Sequence, residues 1–497
     1  MPDLRSFSFA LLRRLRGQGA LRLTLVALSV LRVIGAVDGP ISDCDVWWIA
    51  AAGRQMLASG AIIERNLFSF TDPEQPWVMH EWLFGPLYAW GLSHFGPAFF
   101  AAVGVLLFTA AAALLAAGVL SAVRSPSRGL MLVIFALLVF HLRLETPRPT
   151  HVAVLFPLGM AVLAFAPRFT RSRALACTAL ELLWANCHGS FPLGILLLLL
   201  AAAEQAPDRR RRLAAAAAAA VATLLNPYGL RVHRLVFGYA LTKREIYREI
   251  GLRVDEFQSV FAAHSVSLPQ IVGLFACGLL ALSALFQVRF RLRAAFCVLL
   301  VLMAIRQVRH IELAGLLTCL LLAPHFEALI GPLGQAGVEP EPQARRFAAS
   351  LAGIVLVAGA LALGIRIRFH PEREWVSSSF LEALAAVPDG ARLYAPFENA
   401  GMAVWYGFGR GVRVYFDSRN DCYRPETLRD FMQIGFRETP TRTVEAQLSK
   451  RDTDHLLFAD DGGLERRLDP QRWQRLGRVG SWQVFELNPR RASNAAH

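Results

Sequence analysis

Two aspartates, Asp43 and Asp45, lie between an apolar run and two tryptophans in the segment ISDCDVWWIAAAGRQMLASG, residues 41–60. Carboxylates placed in this way can withdraw a proton from an acceptor hydroxyl, or they can hold a divalent cation through oxygen ligands. They can also cap a helix that begins near Val46. Residues two apart on a helix point in different directions. We therefore expect Asp43 to carry the chemistry and Asp45 to cap the helix, with the reverse assignment left open.

A second group of polar residues lies at the ends of apolar runs. Arginine suits phosphate there, because its planar guanidinium donates two hydrogen bonds at once. The candidates for substrate binding are His80, Glu81, Arg148, Glu181, Trp184, Asn186, His188, Asn226, Tyr228, Glu256, Arg306, Arg309 and His310.

Two of these candidates have specific alternatives. Glu181 shares a predicted helical face with Trp184 and His188 at spacings i, i+3 and i+7, about two turns inside an apolar segment. A carboxylate inside a membrane points to function by default, and pairing with an arginine is the structural alternative. Asn226 belongs to the sequence NPYG, which is also typical of a simple turn.

The composition places these residues in a membrane protein. The 497 residues are 55% hydrophobic and 18% charged, whereas soluble proteins are about 25% charged. The net charge of +14 comes from basic residues in short segments between apolar runs, which is the positive-inside pattern. The sequence contains no basic stretch with interleaved aromatic residues, so we expect no nucleic-acid partner.

The basic segments predict the orientation of the chain. Placing RSPSR (124–128), RFTRSR (168–173), DRRRR (208–212), RFRLR (289–293) and QARR (343–346) in the cytoplasm gives a consistent path. The first apolar run is not followed by a cleavage site and is typical of a retained signal anchor with a cytoplasmic N-terminus. We predict about eleven transmembrane helices, near residues 21–38, 98–120, 130–144, 151–166, 173–186, 190–206, 211–225, 268–286, 294–307, 311–330 and 347–366.

This path predicts two domains. Residues 1–370 form a transmembrane domain with an external loop at 40–97, in which helices at 46–58 and 82–97 lie along the membrane. Residues 371–497 form an extracytoplasmic α/β domain. Its predicted strands are RLYAPF (392–397), VRVYFD (412–417), HLLFAD (455–460) and WQVFEL (482–487), and its clearest predicted helix is 425–436.

Two further features of the C-terminal domain have open interpretations. Asp417 and Arg419 follow the second predicted strand, where α/β sheets often bind ligands, but they are equally suited to hold a tight turn. Cys44 and Cys422 both lie in predicted external regions, so a disulfide between them is compatible with the topology.

Several motifs together resemble a known superfamily. D-x-D-x-W-W at 43–48, H-E-W-L at 80–83, R-P at 148–149, W-x-N-x-H-G at 184–189 and N-P-Y-G at 226–229 are similar to an uncharacterised bacterial multipass family. The segment 20–120 and the overall plan resemble GT-C glycosyltransferases, multipass enzymes that use polyprenyl-phosphate sugars, such as protein O-mannosyltransferases and the aminoarabinose transferase of lipid A. The resemblance implies a GT-C-like fold, and a catalytic-base or metal-linked role for Asp43 and Asp45.

One departure from that pattern concerns the donor phosphate. Many relatives carry a lysine beside paired prolines where Glu81 stands, and the only lysines here are Lys243 and Lys450. Three arginines are expected to replace it on physical grounds: Arg148, Arg306 and Arg309.

The resulting hypothesis is a glycosyltransferase in the bacterial inner membrane. It would move a sugar from a polyprenyl-phosphate donor to an extracytoplasmic glycan, lipid or protein, and a divalent cation is the one cofactor that the acidic motif suggests. The alternative is a transporter or a non-catalytic subunit of a surface-glycan assembly system. Transporters favour internal repeats and polar residues at the membrane midplane. Because no repeat is evident and the polar motifs collect at one end of the predicted spans, the enzyme is favoured.

Overall fold

The computed structural model describes residues 4–37, 41, 43–140, 148–241, 254–330, 341–369, 375–459 and 463–488. The chain divides into two compact units. Met1–Asp38 and Ala101–Phe369 form the first, called the helical unit, and Gly39–Phe100 and His370–His497 form the second, called the mixed unit. The predicted external loop is therefore grouped with the C-terminal residues and not with the apolar helices.

The described α-helices are numbered in chain order. They are α1 (Leu4–Val37), α2 (Asp45–Ser59), α3 (Phe84–Phe95), α4 (Ala98–Ala122), α5 (Pro126–Val139), α6 (Val152–Ala164), α7 (Arg171–Cys187), α8 (Pro192–Glu204), α9 (Arg209–Ala222), α10 (Leu230–Leu241), α11 (Leu268–Leu285), α12 (Arg291–Arg306), α13 (Ile311–Leu321), α14 (Ala323–Leu329), α15 (Glu341–Phe369), α16 (Ser378–Ala385), α17 (Phe397–Gly407), α18 (Pro425–Gly435) and α19 (Thr441–Lys450). The strands are β1 (Arg392–Tyr394), β2 (Arg413–Val414), β3 (His455–Ala459), β4 (Trp473–Val479) and β5 (Trp482–Leu487).

The helical unit confirms a polytopic helical architecture. Each of the eleven predicted segments overlaps a helix, and α10 is an additional helix that was not predicted. Among the described residues, four helices are long and apolar enough to cross a membrane: Gln18–Val37, Ala98–Ala122, Leu268–Leu285 and Pro342–Arg368. The bent pair Val308–Leu321 and Ala323–Leu329, with an angle of 66°, brings the number to five if it forms one span. The count of eleven crossings stays a prediction, because several helices, α6 and α8 for example, are shorter than the roughly 20 residues of a full span.

Arginines in two of the predicted cytoplasmic segments hold helix ends together. The side chain of Arg212 is fully buried and donates hydrogen bonds to the carbonyls of Ala164 and Ala166, at 2.9 and 2.8 Å. Arg293 Nε lies 2.5 Å from Glu204 Oε2, which joins the start of α12 to the end of α8. The last carbonyls of a helix have no partner within it, and cations are favourable beside them. These arginines therefore contribute to helix packing, in addition to the orientation that was predicted from them.

The mixed unit contains a five-stranded sheet with the order β2-β1-β3-β5-β4. β1 is parallel to β2 and β3, whereas β5 is antiparallel to β3 and β4. All four predicted strands are present, and α18 corresponds to the predicted helix at 425–436. β4 was not predicted, because it is an edge strand with four exposed residues out of seven, and its apolar and polar residues do not alternate as in a half-buried strand.

The loop segment after α2 is attached to this sheet by backbone and side-chain hydrogen bonds. Val414 N donates to Phe68 O at 2.9 Å, and Phe70 N donates to Val414 O at 3.2 Å, so the loop extends the sheet beyond β2. Farther along, Asp72 Oδ2 accepts a hydrogen bond from Thr427 Oγ1 at 2.6 Å. These contacts explain why the loop belongs to the same compact unit as the C-terminal residues.

Candidate functional site

The two aspartates of the acidic motif have different partners. Asp43 is only 3% exposed, and its Oδ1 accepts hydrogen bonds from the backbone N–H groups of Asp45 and Val46 at 2.7 and 3.3 Å. Asp45 is half-buried as the first residue of α2, and its Oδ1 accepts from the indole N–H of Trp48 at 3.0 Å and from the hydroxyl of Ser418. The cap therefore falls to Asp43, which is the reverse assignment that was left open, and the catalytic role of either aspartate stays a prediction. Asp43 precedes the helix and folds back onto its first N–H groups, which is the geometry of a cap.

Close backbone contacts hold the acidic motif in place. A Cβ atom on Gly401 of α17 would lie 2.0 Å from the carbonyl oxygen of Cys44, and a Cβ on Gly53 of α2 would lie 1.8 Å from the carbonyl oxygen of Gly85. Real Cβ contacts are never this short, so both positions require glycine. Thus α17 approaches the acidic motif, and α3 approaches α2, more closely than any side chain would allow.

The suggested disulfide between Cys44 and Cys422 is not formed. Both cysteines are buried, and neither is in a disulfide. Cys44 Sγ lies 3.6 Å from Asp45 Oδ1, and Cys422 Sγ donates to the carbonyl of Arg419 at 3.2 Å. Burial raises the pKa of the Cys422 thiol well above its usual value, which is typical of an unreactive core cysteine.

His80 and Glu81 lie at the turn that leads into α3. His80 Nε2 is 3.7 Å from Glu81 Oε1, so the two form an ion pair when the imidazole is protonated. Glu81 is 8% exposed and His80 is half-buried. The predicted binding role of both residues stays a prediction.

The pair Asp417 and Arg419 holds a turn. Both side chains are fully buried, and Arg419 Nε and Nη2 donate to the carboxylate of Asp417 at 2.9 and 2.7 Å. Nη2 also donates to Asn66 Oδ1 at 2.7 Å, and the guanidinium lies 4.6 Å from the ring centroid of Trp77. Although burial acts to lower the pKa of Arg419, the charge of Asp417 raises it above its ordinary value. The tight-turn interpretation is confirmed.

No metal site is observed at the acidic motif in the part of the chain that the structure describes, and the metal-linked role of Asp43 and Asp45 stays a prediction. Within the described ranges, no group of three or more His, Cys, Asp or Glu side chains is arranged to hold a metal ion. The Oδ1 atoms of Asp43 and Asp45 accept hydrogen bonds from N–H and O–H groups instead. A divalent cation needs several oxygen ligands pointing to one position. The transfer reaction that we propose does not include a metal ion.

In the helical unit, two predicted binding residues are paired with each other. Arg148 Nη1 lies 3.1 Å from Glu256 Oε2, and both side chains are about one quarter exposed. The segment after Glu256 is fixed against the turn between α12 and α13, because Val308 N donates to the carbonyl of Gln258 at 3.0 Å. The structure therefore brings together residues from three distant parts of the chain.

The same turn presents two exposed guanidinium groups, which we call the turn arginines, Arg306 and Arg309. Arg306 is the last residue of α12, and Arg309 lies over the ring of Phe257 at 4.7 Å. Among the residues that the structure describes, neither guanidinium has a hydrogen-bond or ion-pair partner. His310 follows them and is half-buried. Two cations without counter-charges on one short turn form an arrangement that can bind an anion.

Glu181 lies in α7 and is completely buried. Within the described parts of the chain, neither of its carboxylate oxygens has a hydrogen-bond partner, so the predicted alternative of an arginine partner is not found there. A Cβ on Gly194 of α8 would lie 2.0 Å from Glu181 Oε2. Glycine at this position thus leaves the space that the carboxyl group occupies.

The prediction that His188 shares a helical face with Glu181 and Trp184 is wrong. α7 ends at Cys187, and His188 is extended, with φ −164° and ψ 143°. Ser190 brings the two side chains together in another way, since its Oγ lies 3.0 Å from Trp184 Nε1 and 2.9 Å from His188 Nδ1. Ser190 was not predicted, because a serine after a glycine has no distinguishing spacing.

The two asparagine candidates bond to nearby backbone. Asn226 Nδ2 donates to the carbonyl of Thr223 at 2.8 Å, and its Oδ1 accepts from the N–H of Tyr228 at 2.9 Å, which makes its own turn. Asn186 Nδ2 donates to the carbonyl of Leu225 at 3.0 Å and so links α7 to that turn. Tyr228 is 4% exposed. These contacts give both asparagines a structural role, and the predicted substrate binding by Asn186, Asn226 and Tyr228 stays a prediction.

Comparison with known proteins shows a likeness of fold. The chain is similar to the archaeal oligosaccharyltransferase AglB from Archaeoglobus fulgidus, in a complex with an inhibitory peptide and a dolichol-phosphate, with a TM-score of 0.54, 12% identity, and coverage of 91% of this chain and 70% of that one. The apo form of the Archaeoglobus fulgidus oligosaccharyltransferase has a TM-score of 0.49, 12% identity and coverages of 96% and 74%. ArnT from Cupriavidus metallidurans, bound to undecaprenyl phosphate, has a TM-score of 0.42, 15% identity and coverages of 93% and 97%.

No protein-family model and no curated protein sequence matches this chain. At 12% identity, the match to AglB is evidence about the fold. It agrees with the mostly helical architecture, the apolar helices and the small C-terminal sheet. The chain therefore shares the fold of this oligosaccharyltransferase, and membership of the GT-C superfamily stays a prediction from its motifs.

Proposed function

We propose that this protein is a membrane glycosyltransferase that moves a sugar from a polyprenyl-phosphate donor to an acceptor outside the cytoplasm. The observation that carries the proposal is the pair of turn arginines, Arg306 and Arg309, which are exposed and lack counter-charges among the described residues. They occur in a chain whose fold is shared with an oligosaccharyltransferase that is in complex with a dolichol-phosphate. A cationic turn of this kind suits the phosphate of a lipid-linked sugar.

In this proposal the turn arginines stabilise the leaving group. When the bond between the anomeric carbon and the phosphate oxygen breaks, negative charge develops on the lipid phosphate. Fixed cations at that position stabilise the transition state more than the ground state. Arg148, the third arginine expected at the phosphate, is already paired with Glu256, so we assign it to holding the turn.

Asp45 is the residue that we propose as the general base. The acceptor hydroxyl forms a bond to the anomeric carbon, and its proton passes to the carboxylate of Asp45. Asp43 is the weaker candidate, because its side chain is only 3% exposed and caps α2, whereas Asp45 is half-buried and more accessible to an acceptor. A positioned base typically contributes about 10²–10⁴-fold to the rate.

The proposal also specifies the membrane in which the protein lies and the orientation of its domains. We place the protein in the bacterial inner membrane, with a cytoplasmic N-terminus, a transmembrane domain at 1–370 and an extracytoplasmic domain at 371–497. The basic segments between apolar runs support this orientation. The acceptor would be an extracytoplasmic glycan, lipid or protein.

The test is the composition of surface glycans and lipid-linked sugars, measured by mass spectrometry after deletion of the gene. We expect one surface sugar to disappear and the corresponding polyprenyl-phosphate sugar to accumulate. Wild-type protein should restore the pattern, whereas Asp45→Asn and the double variant Arg306→Ala/Arg309→Ala should not.

Two controls make the comparison specific. Arg289→Ala should restore the pattern, because Arg289 is also exposed and lies over an aromatic ring, Phe290 at 5.4 Å, but belongs to a predicted cytoplasmic segment. Asp43→Asn keeps an oxygen that can cap α2 and should also restore most of it. Unchanged glycans and lipid-linked sugars in the deletion strain would contradict the proposed function.

A further inference from the structure

Ser418 connects the C-terminal part of the mixed unit to the acidic motif. Its hydroxyl donates to Asp45 Oδ1 and accepts from the indole N–H of Trp48 at 3.0 Å. The same indole N–H lies 3.0 Å from Asp45 Oδ1. Three side chains therefore close a small ring of hydrogen bonds around one carboxylate oxygen, and two of them lie 370 residues apart in sequence.

The position of Ser418 is fixed by its neighbours on both sides. Asp417 and Arg419 form the fully buried ion pair that holds the turn, and Arg419 N donates to Asp417 Oδ1 at 3.0 Å. The guanidinium of Arg419 also lies 6.0 Å from the ring centroid of Trp48. A hydroxyl carried on a turn held in this way keeps its direction, because the backbone and both flanking side chains are constrained.

We propose that Ser418 is a positioning residue for the transfer reaction, which sets the orientation of the Asp45 carboxylate. This inference rests on the proposed function, in which Asp45 takes the proton from the acceptor. Ser418 acts through Asp45 and does not itself contact the substrate. With the hydroxyl removed, Asp45 Oδ1 loses one of its donors and keeps the Trp48 indole and the more distant Cys44 thiol, so the carboxylate gains rotational freedom.

The chemistry predicts a defect in turnover and not in binding. Misplacement of a catalytic group by about 1 Å can lower the rate by about 100-fold. We expect Ser418→Ala to lower kcat by about 10- to 100-fold with little change in KM, because substrate contacts are unaffected. Ser418→Thr retains the hydroxyl and should recover most of the lost kcat.

The experiment uses full-length protein in membranes of the deletion strain, with the total lipid extract of that strain as donor. Transfer is measured at several dilutions of the extract, so that kcat and KM are separated. Ser69→Ala is the matched control, since Ser69 is a buried serine of the same unit whose hydroxyl donates to the Tyr415 carbonyl at 3.2 Å. It should leave kcat unchanged.

The outcomes separate this inference from the proposed function. If Asp45→Asn transfers sugar normally, Asp45 is not the general base, and the proposed function is contradicted at that residue. If Asp45→Asn is inactive but Ser418→Ala has the wild-type kcat, or if Ser418→Thr fails to recover activity, only the positioning role is overturned. If Ser418→Ala does not fold, Trp48→Phe removes another donor to the same oxygen, and an unchanged kcat in that variant overturns the inference equally.

Discussion

Arg148 Nη1 lies 3.1 Å from Glu256 Oε2 and so joins two segments that are 108 residues apart in sequence. Both residues were expected to contact substrate, and both side chains are about three quarters buried. The pair lies next to the turn that carries Arg306 and Arg309. Its effect on that turn can be measured by mutation of each partner alone and of both together.

We expect Arg148→Met and Glu256→Met each to lower the thermal stability of the protein in detergent, because each leaves a partly buried charge without its partner. The double variant should be more stable than the sum of the two single effects predicts, with a coupling of about 1 kcal/mol. Purely additive effects would show that the ion pair contributes nothing and would return Arg148 to the set of phosphate candidates.

Gly401 tests the packing of the acidic motif. Gly401→Ala would place a methyl group 2.0 Å from the carbonyl oxygen of Cys44, so the segment carrying Asp43 and Asp45 must shift. We expect a loss of stability of about 1–3 kcal/mol, as for other overpacked sites, together with reduced transfer activity.

The control for this variant is Gly409→Ala. No atom lies within 4 Å of a Cβ at Gly409, so stability and activity should be unchanged. Thermal unfolding of the purified variants and transfer assays in membranes measure the two quantities. A Gly401→Ala variant with normal activity would show that the motif tolerates displacement.

The buried pair Asp417 and Arg419 predicts a large effect of removing one charge. Asp417→Asn leaves the guanidinium of Arg419 fully buried without its counter-charge, which we expect to cost about 3–5 kcal/mol of unfolding free energy. The exposed pair of Arg65 and Glu74, whose side chains are 64% and 76% exposed, is the contrast, and Glu74→Gln should not measurably change the unfolding temperature. Equal effects of the two variants would contradict the importance of burial.

Asp454 predicts a pH dependence of stability. Burial acts to raise the pKa of Asp454, but hydrogen bonds from the His455 ring and from the Arg392 backbone N–H outweigh it, so the pKa lies below its ordinary value. A depressed folded-state pKa means that the stabilisation is complete above the unfolded-state pKa of about 3.9 and is lost as the pH falls through the folded-state pKa.

We therefore expect the unfolding temperature of the wild type to fall more steeply below about pH 4 than that of Asp454→Asn, in which this group does not titrate. Asp452→Asn is the control. The Asp452 side chain is 77% exposed, and its contact with Arg392 is long, at 3.8 Å. Parallel pH curves for the wild type and Asp454→Asn would rule out a contribution from this carboxylate.

The orientation of the chain is tested by reporter fusions. Fusions after residues 125, 209 and 291 should report the cytoplasm, whereas fusions after residue 230 and at the C-terminus should report the outside, because basic segments are retained in the cytoplasm. A cytoplasmic C-terminus would place Asp45 on the wrong side for an external acceptor.

The architecture could be predicted from the sequence because it follows from local patterns. Apolar runs interrupted by arginines predict membrane helices. Short alternating runs predicted four strands, which are β1, β2, β3 and β5. The edge strand β4 was missed, since an exposed strand lacks that alternation. The apolar runs and the alternating runs each repeat within a few residues, so their physical cause is local. The helical architecture and these four strands were therefore predicted correctly.

The candidate residues were recognised by type, but their tasks depended on their neighbours. Arg148 was identified as a cation that could bind phosphate, and only the tertiary structure shows Glu256 beside it. Similarly, the two aspartates were expected to divide their roles, and the structure assigns the cap to Asp43 because its carboxylate reaches the N–H of Val46. A helix cap depends on side-chain torsions that residue spacing does not specify.

The sequence by itself determined that this chain is a polytopic helical protein with a small α/β region, and that acids and arginines collect at the ends of its helices. The tertiary structure decided which of them are paired, and it grouped the loop after α1 with the C-terminal sheet. The contact of Ser418 with Asp45 spans 373 residues. Partners so distant in sequence leave no local periodicity, because only the folding of the whole unit brings them together.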